Sequence, residues 1–266
     1  MTNRGDVLPL HVEGTNLAPV DVKDAAARVW AYCTHPRSGW SIYDLAAVSA
    51  RGEGHFERVR QWDLLLAALM NARPSVAAVA AFTVEQREDF AARVAAVPES
   101  KPLCEFTDAE LEVLVHLSAF GFAGARTATM TKLAALYRPH AATILDSYLA
   151  GVFGFAPDGF TFGATEAGEV RRRQNIRHAL AGLRSTLGAR PDWMGALREA
   201  VRSIPGMAET SDVRLLDIVL WTTQDDARQT RESETRGAKE RTLWVEHKPG
   251  PIIPAGSTRP VTIPGA

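Results

Sequence analysis

The sequence predicts an all-α fold: a compact multi-helix domain followed by a disordered C-terminal tail. Three observations carry this. Apolar residues recur at helical spacing along most of the chain, and most runs open on a residue able to cap a helix. Apolar residues make up 46% of the chain and aromatic ones only 8%, with alanine abundant. That composition suits close-packed helices better than stacked strands. No stretch alternates apolar and polar residues as a half-buried strand does.

Taken in order, residues 1–20 read as an N-terminal arm and residues 21–224 as a single helical domain. Asp21 caps a helix with Val22, Ala25, Ala26, Val29 and Cys33 on one face, and Pro36 ends it. Ser41 and Asp44 resemble a capping arrangement before Leu45 and Val48. A longer amphipathic helix is expected from about Phe56 to Ala72, with Val59, Trp62, Leu65, Leu66 and Leu69 turned inward. Thr83 with Gln86, and Thr107 with Glu110, both read as capping boxes, in which a hydroxyl and a carboxylate or amide satisfy first-turn amides reciprocally. The first box opens a helix to about Val97. The second opens one that ends near Gly121. After the sequence GFAG at 121–124, a helix runs from about Ala125 to Tyr137 and stops at Arg138-Pro139. Asp146 caps a short helix through Val152. A glycine- and aromatic-rich loop follows at 154–165, then a basic helix from Glu166 to Leu187 and another from Asp192 to Ser203. Ser211 caps the last helix, with Val213, Leu216, Val219 and Leu220 buried. Beyond Gln224 the chain turns polar and proline-rich, so residues 225–266 read as an extended or disordered tail that offers a surface to protein partners.

Charge narrows the functional classes. The whole chain carries −1, but unevenly: residues 1–120 hold 11 basic and 16 acidic residues, residues 121–204 hold 11 and 6, and residues 205–266 hold 8 and 9. The middle third can face a polyanion, while the chain as a whole would not bind one indiscriminately. The apolar stretch at 75–84 is about half the length of a bilayer-spanning helix, and the first residues lack a long apolar segment. A cytoplasmic protein with no membrane partner is expected. Cys33 and Cys104, far apart in sequence, read as reduced thiols. The seven histidines show no metal-ligand spacing, and no HExxH, CxxC, phosphate loop or dinucleotide fingerprint is present. No metal and no cofactor is therefore expected.

The stretch MTKLAALYRPHAATILDS, residues 130–147, concentrates the chemistry. On a helix Lys132 neighbours Ala128, Thr129, Ala135 and Leu136, which continue an apolar face. An ammonium on such a face is costly unless it is paired or its pKa falls. Asp146, arriving after the turn, is the nearest carboxylate able to reach it. Two readings stay open. In one, Lys132 and Asp146 form a half-buried pair that pins two helices. In the other, a desolvated lysine serves as an amine nucleophile with Asp146 as its electrostatic partner.

Three stretches also carry a family resemblance: GWSIYDLAAVSA at 39–50, TKLAALYRPHAATILDS at 131–147 and SDVRLLDIVLW at 211–221. Together they resemble a bacterial domain-of-unknown-function family (number 6308), whose patterns include K-L-L-A-x-K-R-P-R-L-x-P-x-x-D and S-D-x-R-L-L-D-x-x-L-W. More remotely, the succession of hairpin, helix, proline and an aspartate at a helix start resembles the helix-hairpin-helix DNA glycosylases, in particular their oxidised-guanine branch. That resemblance implies a glycosylase-like helical fold and excision of a damaged base from duplex DNA. It makes Lys132 the residue that attacks the sugar C1′ and Asp146 the one that stabilises developing positive charge. It makes Gly121 and Gly124 the hairpin whose amides hold a phosphate, with Arg126 beside it. The hairpin here reads G-x-x-G, and Lys132 stands nearly two turns into the following helix.

The basic helix adds Arg171, Arg172, Arg173, Arg177 and Arg184, expected over much of its outer surface, and Arg138 lies in the same third of the chain. These would track a phosphate backbone and make binding salt-dependent. Phe155, Phe160 and Phe162 either wedge into a base stack or pack under their loop. Asp217 and Arg214 read as an i,i+3 salt bridge. The function expected is DNA binding of the helix-hairpin-helix glycosylase type, with base excision as its catalytic form. The alternatives are a non-catalytic nucleic-acid-binding module and a protein-interaction module.

Overall fold

The computed structural model describes residues 7–35, 38–70, 72–161 and 165–236, with the backbone alone for Ser41 and residues 225–236. Ten α-helices account for most of these residues: α1 (Val22–Thr34), α2 (Leu45–Gly52), α3 (Val76–Ala81), α4 (Arg87–Ala96), α5 (Asp108–Ser118), α6 (Thr127–Tyr137), α7 (Ser147–Val152), α8 (Glu166–Ala189), α9 (Pro191–Val201) and α10 (Asp212–Arg236). Short 3-10 and π-helical turns join several of them. Among the described residues the only β pairings are two isolated bridges, Leu10 to Val20 and Phe122 to Ala125. The chain is all-α, as expected. No helix among the described residues is long and apolar enough to cross a membrane.

Helix α6 is the spine. Thr127, Met130, Thr131, Lys132, Leu133, Ala134, Leu136 and Tyr137 are all buried, so nearly its whole circumference is covered. Helices α5 and α8 and the 3-10 segment Asp63–Met70 pack around it, α8 through Arg172. A tight turn feeds it: the Phe122 amide donates to the Ala125 carbonyl and the Ala125 amide to the Phe122 carbonyl, each at 3.0 Å, with Gly124 at φ +88°. Only glycine adopts that φ without strain. Helix α10 packs on α1 and α7 and closes the other side of the molecule. The core includes Trp193, whose indole N–H donates to the Val20 carbonyl at 3.1 Å, together with Phe82, Phe90, Leu114 and Leu133.

Several expected starts and stops match. Asp21, Thr107, Asp146 and Ser211 each accept a first-turn amide, and Thr107 with Glu110 forms the full capping box. Others differ, each for a local reason. The long helix expected at 56–72 is replaced by separate 3-10 turns, His55–Glu57 and Asp63–Met70. The buried Asp63 carboxylate accepts the Arg60 amide at 2.7 Å, which fixes a turn where a helix would have run on. Trp62 and Leu65 then stay 53% and 50% exposed, rather than turned inward. The capping box at Thr83 does not form. Ser75 accepts the Ala78 amide at 3.1 Å and starts the helix earlier, and the Thr83 hydroxyl donates to the carbonyls of Val79 and Gln61 inside a helical run. Asp44 caps nothing. Residues Trp40–Asp44 form a π turn continuous with α2, and the carboxylate reaches Arg214 instead.

The N-terminal arm is not separate: Leu10, Val12 and Val20 join the common core, and the Glu13 amide donates to the Thr186 hydroxyl on α8. At the other end α10 continues to Arg236, beyond the expected limit at residue 224. The remainder of the expected tail, 237–266, lies outside the described residues, as does Phe162. Cys33 and Cys104 are free thiols.

Candidate functional site

Lys132 is 9% exposed on α6. Its Nζ donates to the Met70 carbonyl at 2.8 Å, at the end of the Asp63–Met70 segment. The Tyr43 hydroxyl donates to the Lys132 carbonyl and ties α6 to the π turn. The amine is thus held by backbone on one side and faces a cleft on the other.

That cleft has a volume of about 510 Å³ and gathers residues from all three of the quoted stretches: Gly39 and Ile42 from the first, Lys132, Ile144 and Asp146 from the second, Arg214, Asp217, Ile218 and Trp221 from the third. A volume of this size is that of a small-molecule pocket. Tyr32, Tyr148 and Trp221 supply flat aromatic walls, the last two 4.9 Å apart between ring centroids. Asp146 accepts the amides of Tyr148 and Leu149 at 2.9 and 3.1 Å, so the carboxylate that enters the cleft is also the N-cap of α7. The Trp221 side chain adds a hydrogen bond to it. Among the described ion pairs none joins Lys132 to Asp146; the two charges share the cleft without direct contact.

Arg214 organises the floor. Its guanidinium donates Nε to Asp44 Oδ1 at 2.7 Å and Nη2 to Asp44 Oδ2 at 3.0 Å, a bidentate pair across 170 residues of sequence. It also reaches Asp217 at 2.5 Å and the Tyr32 hydroxyl at 2.9 Å. Thr143 donates to the other Asp217 oxygen at 3.3 Å. Fork geometry of this kind is what arginine offers and lysine does not.

Burial sets the electrostatics. It lowers the Lys132 amine from its ordinary value; Asp146 and then Asp217 pull it back up, while Arg214 adds to the fall. Burial raises the Asp146 carboxyl, opposed by the amides of α7 and by Lys132. Burial likewise pushes Asp217 up to about 6, against the pull of Arg214 and with Asp146 adding to the rise. Burial works against the charge on Arg214 too, yet Asp44, Tyr32 and Asp217 outweigh it and hold the guanidinium well above its usual range. A depressed amine beside a carboxylate, in an open cleft with flat walls, is the arrangement expected of a nucleophilic lysine.

Residues 25–224 match the model of a family described as Family of unknown function (DUF6308). The chain belongs to this family. No curated protein and no solved structure matches the chain.

Every cleft-lining residue of this DUF6308 chain falls inside the matched span. Lys132 and Asp146, the two residues that the 130–147 stretch singles out, line one cavity. The expected i,i+3 bridge between Arg214 and Asp217 forms, but Asp44, expected to cap a helix, joins it, and Tyr32, Met70, Tyr148 and Trp221 complete a lining that local sequence signals do not reveal. The unusual signal was present: an arginine and an aspartate inside an otherwise apolar helix face, Val213 to Leu220, need buried partners.

The remaining predicted residues scatter. Gly121 and Gly124 sit in the turn that opens α6, and a Cβ on Gly124 would come within 2.8 Å of the Ala78 Cβ, so the turn rests on α3. Arg126 is exposed at the α6 N-cap. Arg138 lies at the opposite end of α6 and donates to the carbonyls of Val97 and Tyr137, both at 2.8 Å. Arg171 and Arg173 are exposed on α8. Arg172 is not on the outer surface: it is 3% exposed and bonds the Thr127 hydroxyl, the Ala119 carbonyl and Glu169. It faces inward because α8 packs on the α5–α6 junction, where those acceptors need a donor. Arg177 pairs with Glu112, and Arg184 with Asp108. No α8 residue lines the cleft.

Proposed function

We propose that this protein binds duplex DNA in the cytoplasm in the manner of the helix-hairpin-helix glycosylases, and that its cleft receives a damaged base turned out of the stack. The observation that carries this reading is the shared cleft of Lys132 and Asp146, with the amine desolvated and aromatic side chains lining the walls. A flat base can stack against such a wall. The turn at 122–125 precedes α6 and so stands upstream of Lys132 in the chain, the order that the glycosylase resemblance calls for.

In this mechanism Lys132 Nζ forms a bond to the sugar C1′ while the glycosidic bond breaks. The electron pair leaves with the base, which takes the proton released by the amine. Asp146 faces the positive charge that develops at C1′. Ring opening then leaves an imine between Lys132 and the sugar. Incubation with duplexes carrying an abasic site or an oxidised guanine, followed by borohydride, reduces that imine to a stable cross-link. Wild type is expected to form the adduct, Lys132→Ala to form none, and Asp146→Asn to form it at least about a hundredfold more slowly. Absence of the wild-type adduct, or its survival in Lys132→Ala, overturns the lyase reading.

One observation favours a second reading. The Lys132 ammonium already donates to the Met70 carbonyl, which suits a fixed wall of a binding cleft as well as a nucleophile. A non-catalytic module on the same fold would retain duplex DNA at low salt in Lys132→Ala and give no adduct in either form.

A further inference from the structure

A second concavity, of about 840 Å³, lies between residues 56–62 and α4, with Tyr137 and Arg138 at the end of α6 contributing to it. It brings together Arg58, Arg60, Arg87 and Arg138, with Glu57 and Glu88 as the acidic residues of the lining. Trp62 stands beside them, 53% exposed. Lys132 and Tyr137 are five residues apart on α6, so the groove begins about 7.5 Å along the axis from the cleft.

The cations here are less committed than Arg172, Arg177 and Arg184 of α8. Arg58 is exposed and makes no ion pair among the described residues. Arg60 is half-buried, with its Nε turned inward and its Nη1 against His55 Nδ1 at 3.1 Å, and it makes no ion pair among the described residues. Arg138 donates to two carbonyls, which leaves further N–H groups of a five-donor guanidinium. Arg87 alone is matched, by its neighbour Glu88 at 2.5 Å. On α8, by contrast, Arg172, Arg177 and Arg184 all hold carboxylates.

We infer that this groove holds a single nucleic-acid strand, its phosphates on Arg58, Arg60, Arg87 and Arg138 and one base stacked on Trp62. Guanidinium forks match phosphate oxygens, and an exposed indole offers a platform to any base. An acidic peptide would satisfy the charges but give Trp62 no flat partner. The inference rests on the reading of the chain as a nucleic-acid binder and locates the strand-holding surface outside both α8 and the cleft.

The test uses the full chain and a fluorescein-labelled single-stranded oligothymidylate of about a dozen nucleotides, read by anisotropy across a salt series. Trp62→Ala is expected to weaken binding about tenfold. The double variant Arg58→Ala/Arg87→Ala is expected to weaken it at least as much and to flatten the log–log salt slope by about 1.4, since each phosphate contact on a single strand accounts for about 0.7. Arg171→Ala/Arg173→Ala on α8 should bind as wild type does. The substituted side chains reach the surface, and matching thermal melts verify that each variant is folded. Wild type that fails to bind, or groove variants that bind within about twofold of wild type, overturns the inference. So does competition by polyglutamate as effective as that by unlabelled oligonucleotide and unaffected by Trp62→Ala, which identifies an acidic protein as the partner. The borohydride assay separates the two proposals. Groove variants that lose binding while wild type gives no adduct leave the groove standing and remove the lyase. An adduct formed equally by wild type and groove variants does the reverse.

Discussion

At the level of single residues, Arg214 holds the floor of the cleft together. Its guanidinium neutralises Asp44 and Asp217 from within the protein and steadies Tyr32. Removing one partner of such a cluster strands the others without water. Arg214→Met is therefore expected to cost about 3–5 kcal/mol in urea unfolding, and a loss under about 1 kcal/mol would show that the network is solvated. Asp217 gives a pH signature. Its carboxyl is raised from 3.8 to about 6 in the folded chain. Between those values the folded state keeps a proton that the unfolded state releases. Stability from this group is complete below the lower value, falls as pH rises through the window, and is gone above about 6. Asp217→Asn cannot release that proton. Relative to wild type the variant should gain up to about 3 kcal/mol between pH 4 and pH 7. A difference that is flat or opposite in thermal melts across that range contradicts the assigned burial.

At the scale of elements, helix ends were legible where the competing partners are local. Thr107 and Glu110 satisfy each other within four residues, so the box could be read directly. Thr83 looked equivalent, but Ser75 had already capped the helix and the carbonyl of Gln61 lay ready for its hydroxyl. The helix expected over 56–72 failed for a similar reason: a buried Asp63, bonded to the Arg60 amide and the Tyr137 hydroxyl, outweighs the apolar periodicity around it. The turn before α6 makes its own demand. Alanine at residue 124 would meet both a positive φ and the Ala78 side chain. Gly124→Ala is expected to destabilise by about 1–3 kcal/mol, and calorimetry showing no loss would mean that the turn relaxes freely. Asp146→Ala removes the α7 cap and should cost about 1 kcal/mol, most of it recovered by Asn. That recovery separates the capping role from the charge role, because the asparagine variant would keep α7 while losing its effect on Lys132.

At the scale of the whole molecule, three stretches of sequence come from opposite ends of the chain to build one cleft. Lys132 and Asp146 were legible because their signals are local: an apolar helix face and a helix start fourteen residues later. Tyr32, Met70 and Trp221 were not, because only the packing of α1 and α10 and the Asp63–Met70 segment around α6 brings them there. The basic third of the chain was legible as charge but misleading as geometry, since Arg172 faces the interior and Arg177 and Arg184 hold carboxylates. This packing desolvates one amine and sets one carboxylate in the same cleft. The direct measurement is an NMR titration of Lys132, assigned by comparison with Lys132→Arg. Its midpoint should fall below the ordinary 10.5 and fall further in Asp146→Asn, because Asp146 supports the charged form. A midpoint at 10.5, unmoved by Asp146→Asn, would mean that the amine is solvated and that Asp146 does not act on it.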